Sequence, residues 1–160
     1  MCNGRIMIAG TNSGCGKTTV VCGLLKCLLN RKMNIHAFKC GPDYIDTSFH
    51  KKVLKIPTGN LDSWFCKPED LRKIVSKKAD KCDIAVIEGV MGYYDGMGFT
   101  QRASAYEIAD ITSTPVILII NCKGMSSSLE AVLSGFVNMK QNSHIKGVIF
   151  NRLSEKLYCQ

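Results

Sequence analysis

The chain has 160 residues, a hydrophobic fraction of 46% and a charged fraction of 21%, values that suit one globular domain and exclude a disordered chain. Its 21 Lys and Arg against 13 Asp and Glu give a net charge of +8, which favours an acidic partner such as phosphates, nucleic acid or a polycarboxylate without choosing among them. No apolar run reaches the roughly 20 residues that span a bilayer, and the polar N-terminus is unlike a secretory signal. We therefore expect neither a membrane-spanning segment nor a signal peptide.

Short apolar runs alternate with amphipathic stretches along the chain. In chain order they predict a strand at 5–9, a helix at 17–30, a strand at 35–39, a helix at 68–79, a strand at 83–87, a helix at 104–111, a strand at 115–120, a helix at 126–139 and a strand at 145–150. Strands that are apolar on both faces and joined by helices predict an α/β fold, a parallel sheet flanked by helices on both faces. Ligands of such folds bind beyond the carboxyl ends of the strands.

A glycine-rich loop joins the first strand to the first helix. It predicts that a phosphate chain is bound by Thr11, Asn12, Ser13, Gly14, Cys15, Gly16, Lys17, Thr18 and Thr19. Successive N–H groups form an anion nest there, and the helix N-terminus adds its positive dipole end. Lys17 would reach the β- and γ-phosphates of ATP, and the Thr18 hydroxyl would ligate Mg²⁺.

The loop departs from the common phosphate-loop pattern at one position. That pattern places a glycine six residues before Lys17, where this chain has Thr11, and Gly10 comes one residue earlier. A dinucleotide fingerprint that began at Gly14 would need glycine at Thr19, so that alternative fails.

Acidic residues follow the neighbouring strands. Glu88 directly follows the strand at 83–87 and occupies the position of a metal-binding Walker B acid. Lys39 ends the second strand, and Asp43 and Asp46 follow it three residues apart, so that one helical turn would place both on one face. Two close carboxylates repel unless a cation lies between them, which suggests Mg²⁺ or a positively charged substrate edge. Helix capping is the alternative for this pair.

Further candidates lie in later loops. Asp95 is a third loop acid, for which a plain Asp-Gly turn is the alternative. Asn151 ends the last strand, where an amide can donate and accept at an adenine edge. Tyr93 and Tyr94 would either pack on a flat ligand or belong to the core.

The nine cysteines are an odd number and contain no Cys-x-x-Cys pair. This predicts free, mostly buried thiols in a reducing cytoplasm rather than a disulfide framework or a zinc ribbon. Within the glycine loop, we expect Cys15 to be the accessible thiol.

Several motifs together resemble the cobyrinic acid a,c-diamide synthase family. They are GTNSGCGKTT at 10–19, KCGPDYIDTSFH at 39–50, GNLD at 59–62, EGVMGYYDG at 88–96 and GVIFNR at 147–152. The resemblance covers nearly the whole chain, and the second and fourth motifs are specific to this family and its close relatives. The wider superfamily includes dethiobiotin synthetase, which implies a P-loop NTPase fold.

The resemblance implies one part of a two-part enzyme. An ATP-dependent domain activates two carboxylates of a corrinoid or related tetrapyrrole polycarboxylate, and a C-terminal glutaminase domain or subunit supplies ammonia. Residues 1–160 correspond to the ATP-binding domain alone, so no cysteine here is assigned as a glutaminase nucleophile. A cytoplasmic enzyme without nucleic-acid or membrane partners is implied, with a homodimer among the assemblies left open.

The resemblance also implies roles for the site residues. Thr18 and Glu88 would hold Mg²⁺, with Asp46 as a further ligand. Asp43 and Asp95 would serve phosphoryl transfer or the intermediate, and Lys39 would offset charge on an acyl phosphate. One departure is Asn121, which stands where members of the family usually carry Asp.

Three rival functions remain open. A nickel-sirohydrochlorin a,c-diamide synthase would share these motifs. A partner-binding P-loop ATPase is disfavoured because Asn12 does not match the signature lysine of the cell-division and partitioning ATPases. A non-catalytic remnant that only binds nucleotide is disfavoured by the intact Lys17, Thr18, Asp46 and Glu88.

Overall fold

A computed structural model describes residues 4–154. In chain order the elements are β1 (Gly4–Gly10), α1 (Lys17–Asn30), β2 (Ile35–Cys40), α2 (Tyr44–Lys52), β3 (Thr58–Leu61), α3 (Pro68–Ala79), β4 (Ile84–Glu88), α4 (Ala105–Thr112), β5 (Val116–Asn121), α5 (Ser128–Asn138) and β6 (Ile145–Asn151). The strands form one parallel sheet in the order β3-β2-β4-β1-β5-β6. The predicted α/β fold is confirmed, and each predicted element lies within two residues of its predicted ends.

Two elements were not predicted from the pattern. Helix α2 is short and largely polar, and β3 has the sequence TGNL, which contains no apolar run. Strand β3 exists because it pairs with β2 over four residues, from Ala37 opposite Thr58 to Cys40 opposite Leu61. A strand that depends on its neighbour for hydrogen bonds leaves little local signal in the sequence.

The core lies on both faces of the sheet, because adjacent residues of a strand point to opposite sides. Met7, Ile87 and Leu118 pack in the cluster that includes residues of α3 and α4. Their neighbours Ile8, Val86 and Ile119 pack in the cluster that includes residues of α1. Burial on both faces is therefore confirmed for the central strands.

The edge strand β6 differs from this expectation. Although its sequence contains the apolar run VIF, none of its residues is fully buried. The same holds for the residues of α5. Strand β6 has only one neighbour, β5, so part of its apolar surface stays accessible. No helix between residues 4 and 154 has both the length and the apolar character required to cross a membrane.

Two adjacent tyrosines anchor the loop that follows β4. The hydroxyl of buried Tyr93 donates to Ser143 O at 2.7 Å, and that of Tyr94 donates to Phe136 O at 2.8 Å. Their rings lie 4.7 Å apart between centroids and also contact Tyr106. Of the two roles considered for this pair, core packing is therefore the one observed.

Removing the Tyr93 hydroxyl tests this anchor. Tyr93→Phe should lower the free energy of unfolding by about 1 kcal/mol, because the buried Ser143 carbonyl loses its donor. Urea denaturation measures the change, with exposed Tyr44→Phe as the matched control. Equal stability of the two variants would show that the Tyr93 hydrogen bond does not hold the loop.

Candidate nucleotide-binding site

The glycine loop turns sharply between β1 and α1. Gly14 and Gly16 have φ angles of 74° and 103°, in the left-handed region that favours glycine. No side chain caps the N-terminus of α1, so its first N–H groups are left for an anion. Thr11 N donates to Ile119 O at 3.0 Å and ties the loop to β5. The loop therefore has the backbone of a phosphate site despite its unusual first glycine.

Gly10 explains why Cys15 is hidden. Cys15 is 0% exposed and belongs to the core cluster under α1, so the expectation of an accessible thiol was wrong. A Cβ on Gly10 would overlap Cys15 Sγ, which shows that the missing side chain makes room for the thiol. Only the Cys15 backbone remains available to the loop.

Lys17 folds back across the loop. Its ammonium donates to Asn12 O at 3.0 Å and to Met91 O at 2.6 Å. Both partners are neutral carbonyls, so the positive charge is not cancelled by an acid in these two contacts. An ammonium held in this way beside a helix N-terminus suits the terminal phosphates of a nucleotide.

Lys39 lies at the centre of the acidic residues. Its ammonium is 2.6 Å from Asp46 Oδ2, 3.0 Å from Glu88 Oε1 and 3.6 Å from Asp43 Oδ2. Strands β2 and β4 are neighbours, and their register places Lys39 directly opposite Glu88. The structure thus brings together the lysine and the three acids that the sequence predicted at this edge of the sheet.

Glu88 connects this cluster to the glycine loop. The Thr18 hydroxyl donates to Glu88 Oε1 at 2.7 Å and lies 3.5 Å from Asp46 Oδ2. Glu88 is 0% exposed, and its second oxygen, Oε2, is buried without a hydrogen-bond partner among the described residues. A buried carboxylate oxygen with no partner is available to a cation.

Charge pairing shifts the pKa values of two members of the cluster. Burial alone would lower the pKa of Lys39, but the charge of Glu88 and the hydrogen bonds to Asp46 and Glu88 outweigh it, and the pKa rises. Burial would raise the pKa of Asp46, but its hydrogen bond and ion pair with Lys39 outweigh that effect, and the pKa falls. Both groups are therefore held in their charged forms.

Asp43 has a structural role as well as a place in the cluster. As the N-cap of α2, its Oδ1 accepts from Ile45 N at 3.0 Å and from Asp46 N at 3.4 Å. The capping alternative is thus correct for Oδ1, while Oδ2 faces Lys39. Asn60, to which sequence reasoning gave no role, donates from Nδ2 to Gly41 O and Asp43 O at 2.9 and 3.0 Å. The GNLD motif was its only signal.

Asp95 belongs to a tight turn beside the glycine loop. Its Oδ2 accepts from Gly92 N at 3.1 Å, which matches the turn alternative, and its side chain is exposed. A Cβ on Gly92 would come within 2.8 Å of Thr11 O, and Tyr93 N donates to Gly10 O at 2.8 Å. The loop after β4 is therefore packed directly on the glycine loop.

The end of β6 and the residue that follows it reach the same region. Asn151 Nδ2 donates to Cys15 O at 2.8 Å, so this amide lies against the glycine loop. Arg152 lines a cavity of about 270 Å³ together with Gly16, Lys17 and Thr18. Sequence reasoning considered Asn151 and missed Arg152, because an arginine after a strand has no distinctive local pattern.

The oxygen ligands in this region fit Mg²⁺. Within the described part of the chain, no group of three or more His, Cys, Asp or Glu could hold a metal ion by itself. Mg²⁺ does not need such a cage, because it keeps several waters and binds through one or two carboxylates plus substrate phosphates. The Thr18 hydroxyl and the unpartnered Glu88 oxygen match that requirement.

The family model described as "CbiA: CobQ/CobB/MinD/ParA nucleotide binding domain" matches residues 6–158. Curated relatives named cobyrinate a,c-diamide synthase include proteins of Priestia megaterium, 41% identical over 98% of this chain, and Limosilactobacillus reuteri, 44% identical over 96%. The Salmonella typhimurium relative is 41% identical over 96% of the chain. The chain spans about a third of these relatives, 34% of each.

Solved structures support the fold alone. The "BceF Tyrosine Kinase Domain" matches with a TM-score of 0.65 and 12% identity over 91% of this chain and 67% of its own. The signal recognition particle receptor FtsY from Elizabethkingia anophelis matches with a TM-score of 0.63 and 12% identity, over 87% of this chain and 48% of its own. These matches show that the chain shares their fold, a parallel α/β sheet with helices.

A single and a double variant test whether Lys39 neutralises Glu88. Lys39→Met should lower the free energy of unfolding by about 3–5 kcal/mol, because a buried carboxylate loses its counter-charge. Lys39→Met combined with Glu88→Gln should recover much of this loss, since the buried charge is gone. Urea denaturation without added metal measures both, and exposed Lys26→Met is the control. A Lys39→Met variant as stable as the control would contradict the pairing.

The lowered pKa of Asp46 predicts a pH dependence of stability. The folded-state pKa lies below the ordinary value of 3.8, so the Asp46 contribution is complete above pH 3.8 and is lost as the pH falls through the lower folded-state value. In metal-free buffers from about pH 5 to pH 2, stability should therefore fall more steeply in the wild type than in Asp46→Asn. Parallel curves for the two proteins would contradict the ion pair with Lys39.

Proposed function

The chain belongs to the CobQ/CobB/MinD/ParA nucleotide-binding family, and on that premise we propose that it is the ATP-dependent synthetase domain that amidates the a and c carboxylates of cobyrinic acid. One observation carries the proposal: Lys17 in the phosphate loop and the Lys39, Asp46 and Glu88 cluster meet at one end of the sheet through Thr18. The 41–44% identity to cobyrinate a,c-diamide synthases supports this choice of substrate.

The reaction must overcome the resistance of a carboxylate to ammonia. A carboxylate oxygen of the macrocycle attacks the γ-phosphorus of ATP, the bond to the β-phosphate oxygen breaks, and ADP leaves with that electron pair. Ammonia then adds to the acyl carbon of the acyl phosphate, the carbon–oxygen bond to phosphate breaks, and the nitrogen loses a proton. The products are an amide, ADP and inorganic phosphate for each carboxylate.

Charge neutralisation is the main task of the protein in the first step. A negative carboxylate must approach a negative triphosphate, and catalysis of phosphoryl transfer rests largely on stabilising that charge. The loop N–H groups, from Thr11 to Thr19, and the Lys17 ammonium would hold the triphosphate. Lys39 would offset charge on the acyl phosphate. Asp43 and Asp95 would act beside the transferred phosphoryl group, and Asn151 would contact the adenine of ATP.

Mg²⁺ would be held by Thr18 and Glu88, with Asp46 as a further ligand. When bound, it would neutralise charge on the phosphate oxygens. Lys39 contacts the same Glu88 and Asp46 oxygens as the Thr18 hydroxyl, so the ammonium and the metal would share these acids.

Residues 1–160 would form the ATP-binding part of a glutamine-dependent enzyme, with ammonia supplied by a glutaminase domain or subunit. Seven cysteines among residues 4–154 are free thiols, which supports a reducing compartment such as the cytoplasm. Free ammonia can replace glutamine in an assay, so the proposed activity is testable on this chain alone.

The direct test is ADP release in the presence of ATP, Mg²⁺ and ammonia. Cobyrinic acid should stimulate release, and mass spectrometry should detect mono- and diamide products. Nickel sirohydrochlorin, run in parallel, tests the closest rival substrate. Tight ATP binding without ADP release in the presence of either macrocycle would contradict the proposal and favour a nucleotide-binding remnant.

Lys17→Ala tests the role of the phosphate loop in that assay. Turnover should fall by at least about 10²–10³-fold, the usual effect of removing one preorganised contact to developing charge. Lys26→Ala, an exposed position on the same helix, is the matched control. Near-normal amidation by a folded Lys17→Ala variant would refute the assignment of the loop.

A further inference from the structure

An apolar pocket borders the candidate nucleotide site and has no part in holding phosphates. Its volume is about 280 Å³, and its side-chain walls include Trp64, Phe65, Val90, Met91 and Met97. Phe65 is 77% exposed, Met97 47% and Trp64 45%. Large apolar side chains that gather at the surface around a concavity mark a binding site more often than chance exposure does.

The pocket is continuous with the site through shared residues. The side chain of Met91 lines the pocket, while its carbonyl oxygen accepts from Lys17 Nζ at 2.6 Å. Gly41 and Pro42 form another wall and lead directly into Asp43. A molecule in the pocket would therefore lie beside the end of the triphosphate, where a carboxylate that accepts the γ-phosphoryl group must be.

A cation stands beside the apolar wall. The guanidinium of Arg102 lies 4.5 Å from the centre of the Trp64 ring, a cation–π arrangement that holds the charge over an exposed aromatic face. Asp62 also lines the pocket, and its Oδ1 accepts from Trp64 N at 2.8 Å. Arg102 does not line the pocket itself, but its charge lies beside Trp64, which forms one of the pocket walls.

We propose that this pocket holds one edge of the macrocyclic substrate, with the ring packed against Trp64 and Phe65 and a peripheral carboxylate paired with Arg102. This inference rests on the proposed function, because it assumes a tetrapyrrole polycarboxylate as substrate. The volume of about 280 Å³ lies just below the ~300–1,000 Å³ of pockets that enclose a drug-sized ligand, so the pocket receives an edge of the macrocycle and leaves the rest of it outside.

The single tryptophan makes binding directly measurable. Trp64 is the only tryptophan of the chain, and a tetrapyrrole that absorbs light should quench its fluorescence. Titration with cobyrinic acid, without ATP or ammonia, should give saturable quenching of the wild type after correction for absorption. Because energy transfer acts over a distance, quenching reports that the macrocycle binds, and variants report where.

Three variants locate the bound macrocycle. Phe65→Ser and Met97→Ser should each raise the dissociation constant about tenfold, because each removes an apolar contact of the size that a buried side chain provides. Arg102→Gln should weaken binding and reduce its dependence on salt, since an ion pair is lost. Val137→Ser, an exposed apolar position on α5, should bind like the wild type and is the matched control.

The outcomes separate this inference from the proposed function. Quenching that Phe65→Ser and Met97→Ser leave unchanged would overturn the pocket assignment even if amidation occurs. No binding of the macrocycle to the wild type would overturn the pocket assignment and the proposed function together. Weakened binding in these variants without ADP release from the wild type would support the pocket and overturn the proposed function. A pocket covered by a second copy of the chain would instead give a dimer that Phe65→Ser dissociates in light scattering, with no macrocycle bound, and would also overturn the assignment.

Discussion

The buried carboxylate of Glu88 is the constraint around which the candidate site is arranged. An anion without solvent is costly unless positive charge and hydrogen bonds compensate for it. Lys39 supplies the charge and Thr18 the hydrogen bond, and each comes from a different element of the fold. The site is therefore a consequence of strand order: β4 lies between β1, which leads into the glycine loop, and β2, which carries Lys39 near its end.

The loop after β4 connects three functional surfaces. It begins at Glu88, its Met91 carbonyl holds the Lys17 ammonium, and the Met91 and Met97 side chains form part of the apolar pocket. Tyr93 anchors this loop through two hydrogen bonds: its backbone N–H donates to Gly10 O, and its hydroxyl donates to Ser143 O. Because these contacts share one short segment, a movement there would alter the phosphate loop, the acids and the pocket together.

Much of this arrangement was predictable from local patterns, and the failures have physical causes. The buried strands and the amphipathic helices were readable because their apolar spacing is a local property. Strand β3 was not, because pairing with β2 defines it. Cys15 was placed wrongly because its burial depends on the missing side chain of Gly10, five residues earlier in the loop. Arg152 and Asn60 were overlooked because each meets the site through residues distant in the chain: Arg152 lines a cavity with the glycine loop, and Asn60 donates to Gly41 O.

By itself the amino-acid sequence determined the parallel α/β class, the glycine loop and the identity of the acids that follow the strands, because each depends on residues close together in the chain. Only the tertiary structure decided that Lys39 stands opposite Glu88, that Thr18 joins them, and that residues following β3 and β4 enclose an apolar pocket beside Lys17. These are contacts between distant segments, and sheet order and register, rather than local propensity, bring such segments together.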